Sequence, residues 1–372
     1  MKTPILTYMT SGVIIVLVLV LYRWYEDKRI RNENGNEYND IQKYLLNDMG
    51  ELTQDGKPIL WIHIPYEYNA RQWSNFNSRS SVELNQPYLY LTVSSIISKC
   101  DQSFKICLID DNTFVKLIPN WNIHLKKLAY PILYNVRELG LMKLVQMYGG
   151  MICPISFLCV KDLIGIYKKG VVENKMFVCE NINNNVTSTH YKFYPDISFC
   201  GAERGNETVA GLINHIQHII STDSTAESKF TGGIDAWCKT QIDNSKITMI
   251  DGRDIGVKSI NDDPIKIEDL MSSKYLELYD NTYGILIPSK EILNRRKYEW
   301  FARLSTKQVL ESDTIIGKYL LLSTAHSRVG TLVPFNNKPS WVGFWKTPDV
   351  SMYGLKPNLL GDNVIKEKSP MY

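Results

Sequence analysis

The sequence predicts an α/β fold, with a mixed sheet flanked by helices and preceded by one N-terminal transmembrane helix. Three observations support this prediction. Apolar runs of strand length alternate with segments of helical periodicity, the pair Gly149-Gly150 separates a helical run from an apolar one, and an uncharged apolar run lies near the N-terminus. The chain has 372 residues, of which 44% are hydrophobic, so it can bury a sizeable core.

The apolar run near the N-terminus is long enough to cross a lipid bilayer. Residues 5–22 carry no charge, and a helix of that length extends about 27 Å, close to the thickness of the hydrocarbon core. A cleaved signal peptide is the alternative, but the run ends in Tyr22-Arg23-Trp24-Tyr25, without a small-residue cleavage site. We therefore expect a single-pass membrane protein with the lipid bilayer as a partner.

The charges beside this run predict its orientation. Arg23, Lys28, Arg29 and Arg31 follow the run, whereas only Lys2 precedes it. Because positively charged flanks stay on the cytoplasmic side, we expect the main domain in the cytoplasm, with a Golgi-type orientation as the alternative.

The remaining composition restricts the partners. The net charge of +3 gives no reason to expect a nucleic-acid partner, and it does not indicate an oligomeric state. None of the seven cysteines forms a Cys-x-x-Cys pair, which favours free thiols in a reducing compartment over a zinc site. In the cytoplasmic orientation, the sequons at Asn185 and Asn206 would not be used.

The domain organisation follows from changes of composition along the chain. We expect a short N-terminus at 1–4, the transmembrane helix at 5–22, a juxtamembrane linker with a short helix (38–49) at 23–56, the folded domain at 57–328, and a tail rich in Pro, Gly and Asn at 329–372 that wraps the domain.

Within the folded domain, each element is predicted by its apolar spacing and by the residue that ends it. Short apolar runs bounded by turn residues predict strands, and apolar residues at helical spacing predict helices. In chain order we expect a strand at 58–65, a helix at 87–99, a strand at 104–109 ended by Asp110-Asp111-Asn112, a helix at 134–148 capped by Gly149, a strand at 151–160, strands at 176–179 and 197–200, helices at 207–220 and 226–239, a strand at 247–250 before Asp251-Gly252, a strand at 283–287 closed by Pro288, and a long amphipathic helix at 305–322.

Several motifs occur in an order that is typical of one family. They are Ile59-Leu60-Trp61-Ile62-His63, Ser95-Ile96-Ile97, Ile106-Cys107-Leu108-Ile109-Asp110-Asp111, Arg137-Glu138-Leu139-Gly140-Leu141, Tyr148-Gly149-Gly150 and Phe230-Thr231-Gly232-Gly233. Over residues 57–240 the chain resembles the GT-A glycosyltransferases of the capsular-polysaccharide-synthesis type and their mannosyl- and galactosyltransferase relatives. The resemblance implies a GT-A-like, Rossmann-type mixed sheet, a nucleotide-sugar donor and a glycan acceptor. The chain is also similar to a membrane protein of large DNA viruses, and its richness in Asn, Ile, Lys and Tyr fits an AT-rich genome.

The acids with which that family binds a metal are missing. Aligned on Gly149-Gly150, the first acid falls on Pro154 and the second on Ser156, while the family's helix acid falls on Glu138. Mg²⁺ and Mn²⁺ prefer carboxylate oxygen, proline has no side-chain ligand atom, and serine is a poor ligand. The resemblance therefore implies a degenerate donor motif without a bound metal.

The family's donor-site arginine is replaced as well. Leu141 stands at its position, and Arg137 lies one turn away on a similar face of the helix, so Arg137 could in part replace it. His63 lies inside the first predicted strand, where a histidine packed in the core is the alternative to a binding residue. The candidate donor-binding residues are His63, Arg137, Glu138, Gly149, Gly150 and Ser156.

Three aspartates are candidate catalytic residues. Asp110 and Asp111 end a strand on the side where α/β proteins bind ligands, and Asp235 lies near the expected acceptor side. The alternatives are a turn or helix cap for the first two and a surface charge for the third. Mn²⁺ or Mg²⁺ is expected as a cofactor only if Asp110 and Asp111 substitute for the missing acids.

A basic cluster is a further candidate for the donor diphosphate. Arg295-Arg296-Lys297, with Arg303, could hold phosphate without a metal, could face anionic lipid, or could be a solvated helix face. The sequence thus predicts a membrane-anchored glycosyltransferase-like protein that is weakly active, metal-independent or inactive. The alternative is a non-enzymatic structural or virion-associated protein, tethered to a membrane, on the same fold.

Overall fold

The computed structural model describes residues 17–22, 24–25, 56–65, 86, 88–222 and 228–324. The chain divides into two compact units, residues 1–45 and 46–372. In the first, residues 17–22 are helical and their side chains are exposed. Among the described residues, no helix has both the length and the apolar character needed to cross a membrane. Most of the predicted span at 5–22, almost all of the linker at 23–56, and the tail at 329–372 lie outside the described residues.

The second unit contains short strands and helices that alternate over most of its length. The strands are β1 (Ile59–His63), β2 (Lys105–Ile109), β3 (Gly150–Ile152), β4 (Phe157–Cys159), β5 (Met176–Ile182), β6 (Phe193–Ala202), β7 (Ile247–Ile250) and β8 (Gly284–Leu286). The helices are α1 (Tyr88–Cys100), α2 (Thr113–Leu117), α3 (Ile132–Tyr148), α4 (Ile164–Gly170), α5 (Glu207–Thr222), α6 (Ser228–Thr231), α7 (Gly233–Asp243), α8 (Ile267–Leu270), α9 (Ser289–Asn294), α10 (Glu299–Ala302), α11 (Thr306–Leu310) and α12 (Ile315–Thr324).

Six strands form one mixed sheet in the order β2-β1-β3-β6-β5-β7. Strand β1 is parallel to both β2 and β3, β6 is antiparallel to β3 and β5, and β7 is parallel to β5. A second sheet pairs β4 with β8 in antiparallel register. The mixed α/β sheet flanked by helices is as the sequence predicted.

Each of the two sheets packs in a hydrophobic core of its own. One core packs the main sheet against α3, α5 and α7, with Trp61, Val145 and Leu212 among its buried residues. The other packs β4 and β8 against α1 and the C-terminal helices, around residues such as Leu158 and Phe301. Strand β1 is almost fully buried between two parallel neighbours, β2 and β3, as its continuous apolar run requires.

Three predicted elements are each broken in two. The predicted strand at 151–160 is β3 and β4, because Pro154 has no N–H to continue the ladder and its carbonyl accepts a turn hydrogen bond from the Phe157 N–H at 3.0 Å. The predicted helix at 226–239 is α6 and α7, broken at Gly232, whose φ of 71° is left-handed. Residues 226–227 lie outside the described residues, as does the helix predicted at 38–49.

The long helix predicted at 305–322 is also two helices, α11 and α12. Hydroxyl groups interrupt the backbone ladder between them. The Ser312 hydroxyl donates to the Val309 carbonyl at 2.7 Å, and the Thr314 hydroxyl accepts from the Gly317 N–H at 3.1 Å, which starts the second helix.

Candidate functional site

The strand order creates a crevice beside β1. The chain goes from β1 to β2 on one side of it and then crosses over to β3 on the other side, so the connections diverge at β1. In open α/β sheets, ligands bind where the strand order reverses, outside the carboxyl ends of the strands. His63 is the last residue of β1, Asp110 and Asp111 follow β2, and Cys153–Ser156 follow β3, so all of these lie at one edge of the sheet.

A cleft of about 300 Å³ opens at this edge. Its walls come from the ends of β1 and β3, from α3, from β5 and β6, and from the segment that joins β8 to α9. The ionisable, amide and hydroxyl side chains that line it are His63, Tyr130, Tyr134, Arg137, Glu138, Cys153, Ser156, Asn181, Asn184, Asp196, Ser198, Ser289, Lys290 and Glu291. The structure thus brings His63, Arg137, Glu138 and Ser156 together at one cleft.

Asp111 binds two of these lining residues, His63 and Arg137. Its carboxylate accepts a hydrogen bond from Arg137 Nε at 3.0 Å and another from Nη2 at 2.7 Å, and His63 Nε2 lies 3.0 Å from Oδ1. Partial burial raises the pKa of Asp111, but the hydrogen bonds and the charges of His63 and Arg137 outweigh it and lower the pKa below its ordinary value. Asp111 is therefore an ionised carboxylate that orients an imidazole and a guanidinium.

Asp110 has a different, local role. Its Oδ1 accepts hydrogen bonds from the Thr113 N–H at 2.9 Å and from the Thr113 hydroxyl at 2.7 Å, and Oδ2 accepts from Asn112 Nδ2 at 2.9 Å. Burial raises the pKa of Asp110, but these hydrogen bonds lower it by a larger amount, so the pKa lies below its ordinary value. Asp110 closes the turn that starts α2, and it does not line the cleft.

Carboxylates surround the Tyr134 ring on one wall of the cleft. Burial and the negative charges of Glu138, Asp196 and Asp235 raise the pKa of Tyr134 well above its ordinary value, and its hydroxyl is hydrogen-bonded to Glu138. Lys290 Nζ lies 4.6 Å from the centre of the same ring. Asp235 contributes to this field from the first turn of α7, but it is not among the residues that line the cleft.

Gly149 and Gly150 lie at the opposite end of β3 from the cleft. A Cβ on Gly150 would lie 2.2 Å from the Ile59 carbonyl oxygen, and one on Gly149 would lie 2.9 Å from the Arg204 nitrogen. Both glycines have positive φ, so they let the chain leave α3 and pass close to β1. The two glycines contribute to the cleft indirectly, because the path they allow sets the direction of β3 and so the position of Pro154 and Ser156.

The position of the missing family acids does not fit a divalent cation. Pro154 and Ser156 line the cleft and offer one hydroxyl between them, while the Asp110 and Asp111 carboxylates accept the hydrogen bonds described above. In the described part of the chain, no cluster of three or more His, Cys, Asp or Glu side chains has an arrangement that could hold a metal ion.

The basic cluster at 295–303 is engaged in ion pairs on the helices that follow β8. Arg295 binds Glu268 and Glu291, and Arg303 binds Glu299, each within one turn of helix or across neighbouring helices. None of Arg295, Arg296, Lys297 and Arg303 lines the cleft.

Most polar residues of the cleft were not predicted from the sequence, Asp196 and Lys290 among them. Asp196 on β6 accepts hydrogen bonds from Asn181 Nδ2 at 2.8 Å and from the Ser198 N–H at 2.9 Å, and it is only 8% exposed. The signal for it was a charged residue between Pro195 and an apolar strand. Lys290 had no such signal, because it reaches the cleft only through the pairing of β8 with β4.

The resemblance to glycosyltransferases rests on the order of the motifs and on the mixed sheet. No model of a known protein family matches the chain, and no curated protein has significant sequence similarity to it.

Proposed function

We propose that the chain is a membrane-anchored glycosyltransferase-like protein whose cleft binds a nucleotide-sugar, with a glycan as acceptor and no divalent cation at the position of the family acids. The observation that carries this proposal is the cleft at the reversal of strand order, lined by side chains from the ends of β1 and β3 and from α3. Its volume of about 300 Å³ is at the small end of ligand pockets.

The chemistry of the lining supports a hydroxyl-rich ligand. Glu138, Asp196 and Asn181 offer carboxylate and amide groups that can bind sugar hydroxyls. A leaving diphosphate requires positive charge, and Arg137 and Lys290 are the cations of the described lining. Positive side chains would then take the role that a metal ion has in the family.

Thermal unfolding of the full chain with nucleoside diphosphates and nucleotide-sugars, with and without Mn²⁺, tests this proposal. A ligand at 100 times its Kd stabilises the folded state by about 2.7 kcal/mol. Asp196→Asn keeps the shape of the cleft but removes a charge, so we expect the affinity of the variant for the nucleotide-sugar to fall about tenfold. The control is Asp243→Asn, an exposed aspartate on α7 that pairs with Lys239. If no nucleotide changes the unfolding temperature under any condition, the proposal is wrong.

A non-enzymatic protein on the same fold is the second candidate, and one observation favours it. The described lining holds three acidic residues, Glu138, Asp196 and Glu291, against one arginine and one lysine, and Arg137 is paired with Asp111. This balance suits a neutral glycan better than a diphosphate. Stabilisation by free oligosaccharides, without any effect of nucleotides, would favour this second function.

We also propose that the domain faces the cytoplasm. The basic residues that follow the apolar run at 5–22 support this orientation. In sealed vesicles of known orientation, protease should digest the domain only from the cytoplasmic side. Protection of the domain on that side would contradict the proposal.

A further inference from the structure

His63 and Asp111 form an imidazole–carboxylate pair beside the cleft. His63 Nε2 lies 3.0 Å from Asp111 Oδ1, and the carboxylate is kept ionised by Arg137. An ionised carboxylate only accepts hydrogen bonds, so Nε2 must carry the proton that it donates. In the neutral ring, Nδ1 then holds the lone pair and is the basic nitrogen.

The ring of His63 is also held in place from one side. It stacks on the Phe114 ring with 5.5 Å between the centres and 27° between the planes. Its side chain is 9% exposed and belongs to the lining of the cleft. Among the described residues, none is hydrogen-bonded to Nδ1. A fixed ring with one oriented nitrogen and one basic nitrogen is the arrangement of a general base and its orienting group.

We propose that His63 is the general base that activates an acceptor hydroxyl in the cleft and that Asp111 is the positioning residue that fixes its tautomer. This inference rests on the proposed glycosyltransferase function. The acceptor hydroxyl transfers its proton to Nδ1 while its oxygen bonds to the anomeric carbon of the donor. The bond from that carbon to the diphosphate oxygen breaks, and the electron pair leaves with the nucleoside diphosphate. The imidazolium is stabilised beside Asp111 until it releases the proton to water.

Turnover of the full-length protein in detergent tests the role of His63. The substrate is the nucleotide-sugar that most stabilises the wild-type protein, and the readout is release of nucleoside diphosphate. His63→Ala should lower kcat by about 10²- to 10⁴-fold, and external imidazole should restore part of it. The nucleotide-induced rise in unfolding temperature should remain. His124→Ala, an exposed histidine outside the cleft, is the matched control and should keep full turnover.

Asp111→Asn tests the positioning role. The amide can donate to Nε2 and so favour the wrong tautomer, which should lower kcat at saturating nucleotide-sugar, and imidazole should give no rescue. Turnover within about threefold of wild type in His63→Ala, or a loss that imidazole leaves unchanged, would overturn the proposal. If the wild-type protein neither binds a nucleotide nor turns over a nucleotide-sugar, the proposed function is wrong, and the role proposed for His63 is wrong as well.

A chemical probe needs no substitution, so it is unaffected if a variant fails to fold. Diethyl pyrocarbonate acylates neutral imidazole nitrogen, and peptide mass spectrometry locates the product. We expect acylation of His63 at Nδ1 and its suppression by the bound nucleotide-sugar, while exposed His124 and His190 react equally in both conditions. A His63 ring that stays unmodified when these two are fully acylated would show that Nδ1 is not available as a base.

Discussion

Asp111 makes part of the stability of the domain depend on pH. Its pKa in the folded state lies below the ordinary value of 3.8 because His63 and Arg137 bind the charged form. A lowered folded pKa contributes stability that is fully present above pH 3.8 and is lost as the pH falls through the lower folded value. Acid should therefore weaken the contacts that hold the carboxyl edges of β1 and β2 to α3.

Replacement of Asp111 by asparagine measures this contribution. Arg137 is 6% exposed, and a buried guanidinium without its carboxylate costs about 3 to 5 kcal/mol at neutral pH. We expect that difference in unfolding free energy, measured in urea, to shrink as the pH is lowered from 7 to 3. Asp243→Asn should cost under about 1 kcal/mol, because its ion pair with Lys239 is exposed. A pH-independent difference for Asp111→Asn would contradict the assignment.

Gly150 and Gly205 illustrate two reasons why a position requires glycine, a positive φ and a lack of space for a Cβ. Both have positive φ, 102° and 76°, but a Cβ on Gly150 would meet the Ile59 carbonyl at 2.2 Å, whereas one on Gly205 would meet no atom within 4 Å. Gly205→Ala should cost only the left-handed conformation, about 1 to 2 kcal/mol. Gly150→Ala adds the clash and should cost about 4 kcal/mol in a urea titration. Equal costs would show that β1 can move away from β3.

At the scale of elements, the sequence predicted the type of most strands and helices but not where they break. The apolar run from 151 to 160 looks continuous, because the lack of an N–H at Pro154 leaves no trace in hydrophobic spacing. The break at Gly232 depends on its left-handed φ, and the one after α11 depends on hydroxyl groups that bond the backbone. In each case a local hydrogen bond or dihedral angle overrides a continuous apolar pattern.

One buried ion pair joins β5 to the segment that follows β7. Lys258 binds Glu180, both side chains are about one-tenth exposed, and Glu180 also accepts the Gly252 N–H at 3.0 Å. Glu180→Ala should cost about 3 kcal/mol, since it removes the nearest partner of an ammonium group that lies beside the Phe193 ring and keeps only the longer contacts with Asp251 and Asp262.

A double-mutant cycle checks that prediction. Glu180→Leu combined with Lys258→Met removes both charges, so the double variant should be more stable than either single variant in urea unfolding. The exposed pair of Lys239 and Asp243 is the control, and its coupling free energy should stay below about 0.5 kcal/mol. Additive costs at Glu180 and Lys258 would mean that the two charges act independently.

At the scale of the whole molecule, both glycosylation sequons are part of the fold. Asn185 is 5% exposed, and its side-chain oxygen accepts from the Thr187 N–H at 2.8 Å. Asn206 is 4% exposed, and its Nδ2, the atom to which a glycan would attach, donates to the Asn174 carbonyl at 2.6 Å. A glycan on Asn206 would remove a buried hydrogen bond and would need space that the fold does not provide.

We therefore expect the protein to carry no N-glycan in cells, as its proposed orientation also requires. Treatment with a glycosidase should leave its electrophoretic mobility unchanged. Asp263→Thr completes an exposed sequon at Asn261 and serves as the control for access to the glycosylation machinery. A glycan on this variant would place the domain in the lumen and contradict the orientation.

The candidate site was predictable from the sequence only where strand ends and one helix determine it. His63, Arg137, Glu138 and Ser156 reach the cleft because β1 and β3 run parallel and α3 lies beside them. Other walls come from β6 and from the segment after β8, far along the chain, and no local pattern indicates that they meet β3. Long-range pairing decides those positions.

The small sheet of β4 and β8 also governs the order in which the cleft can form. Cys159 pairs with Gly284, so the chain between them, which includes β5 to β7, forms a long loop that closes when β4 pairs with β8. Such closure is entropically costly and slow, and we expect it late in folding. Because the Ile287 N–H then bonds to the Ser156 carbonyl at 3.1 Å, one wall of the cleft is fixed only at that step. A nascent chain that ends before β8 would thus hold the main sheet but no finished binding cleft, and ligand affinity would arise only as synthesis nears completion.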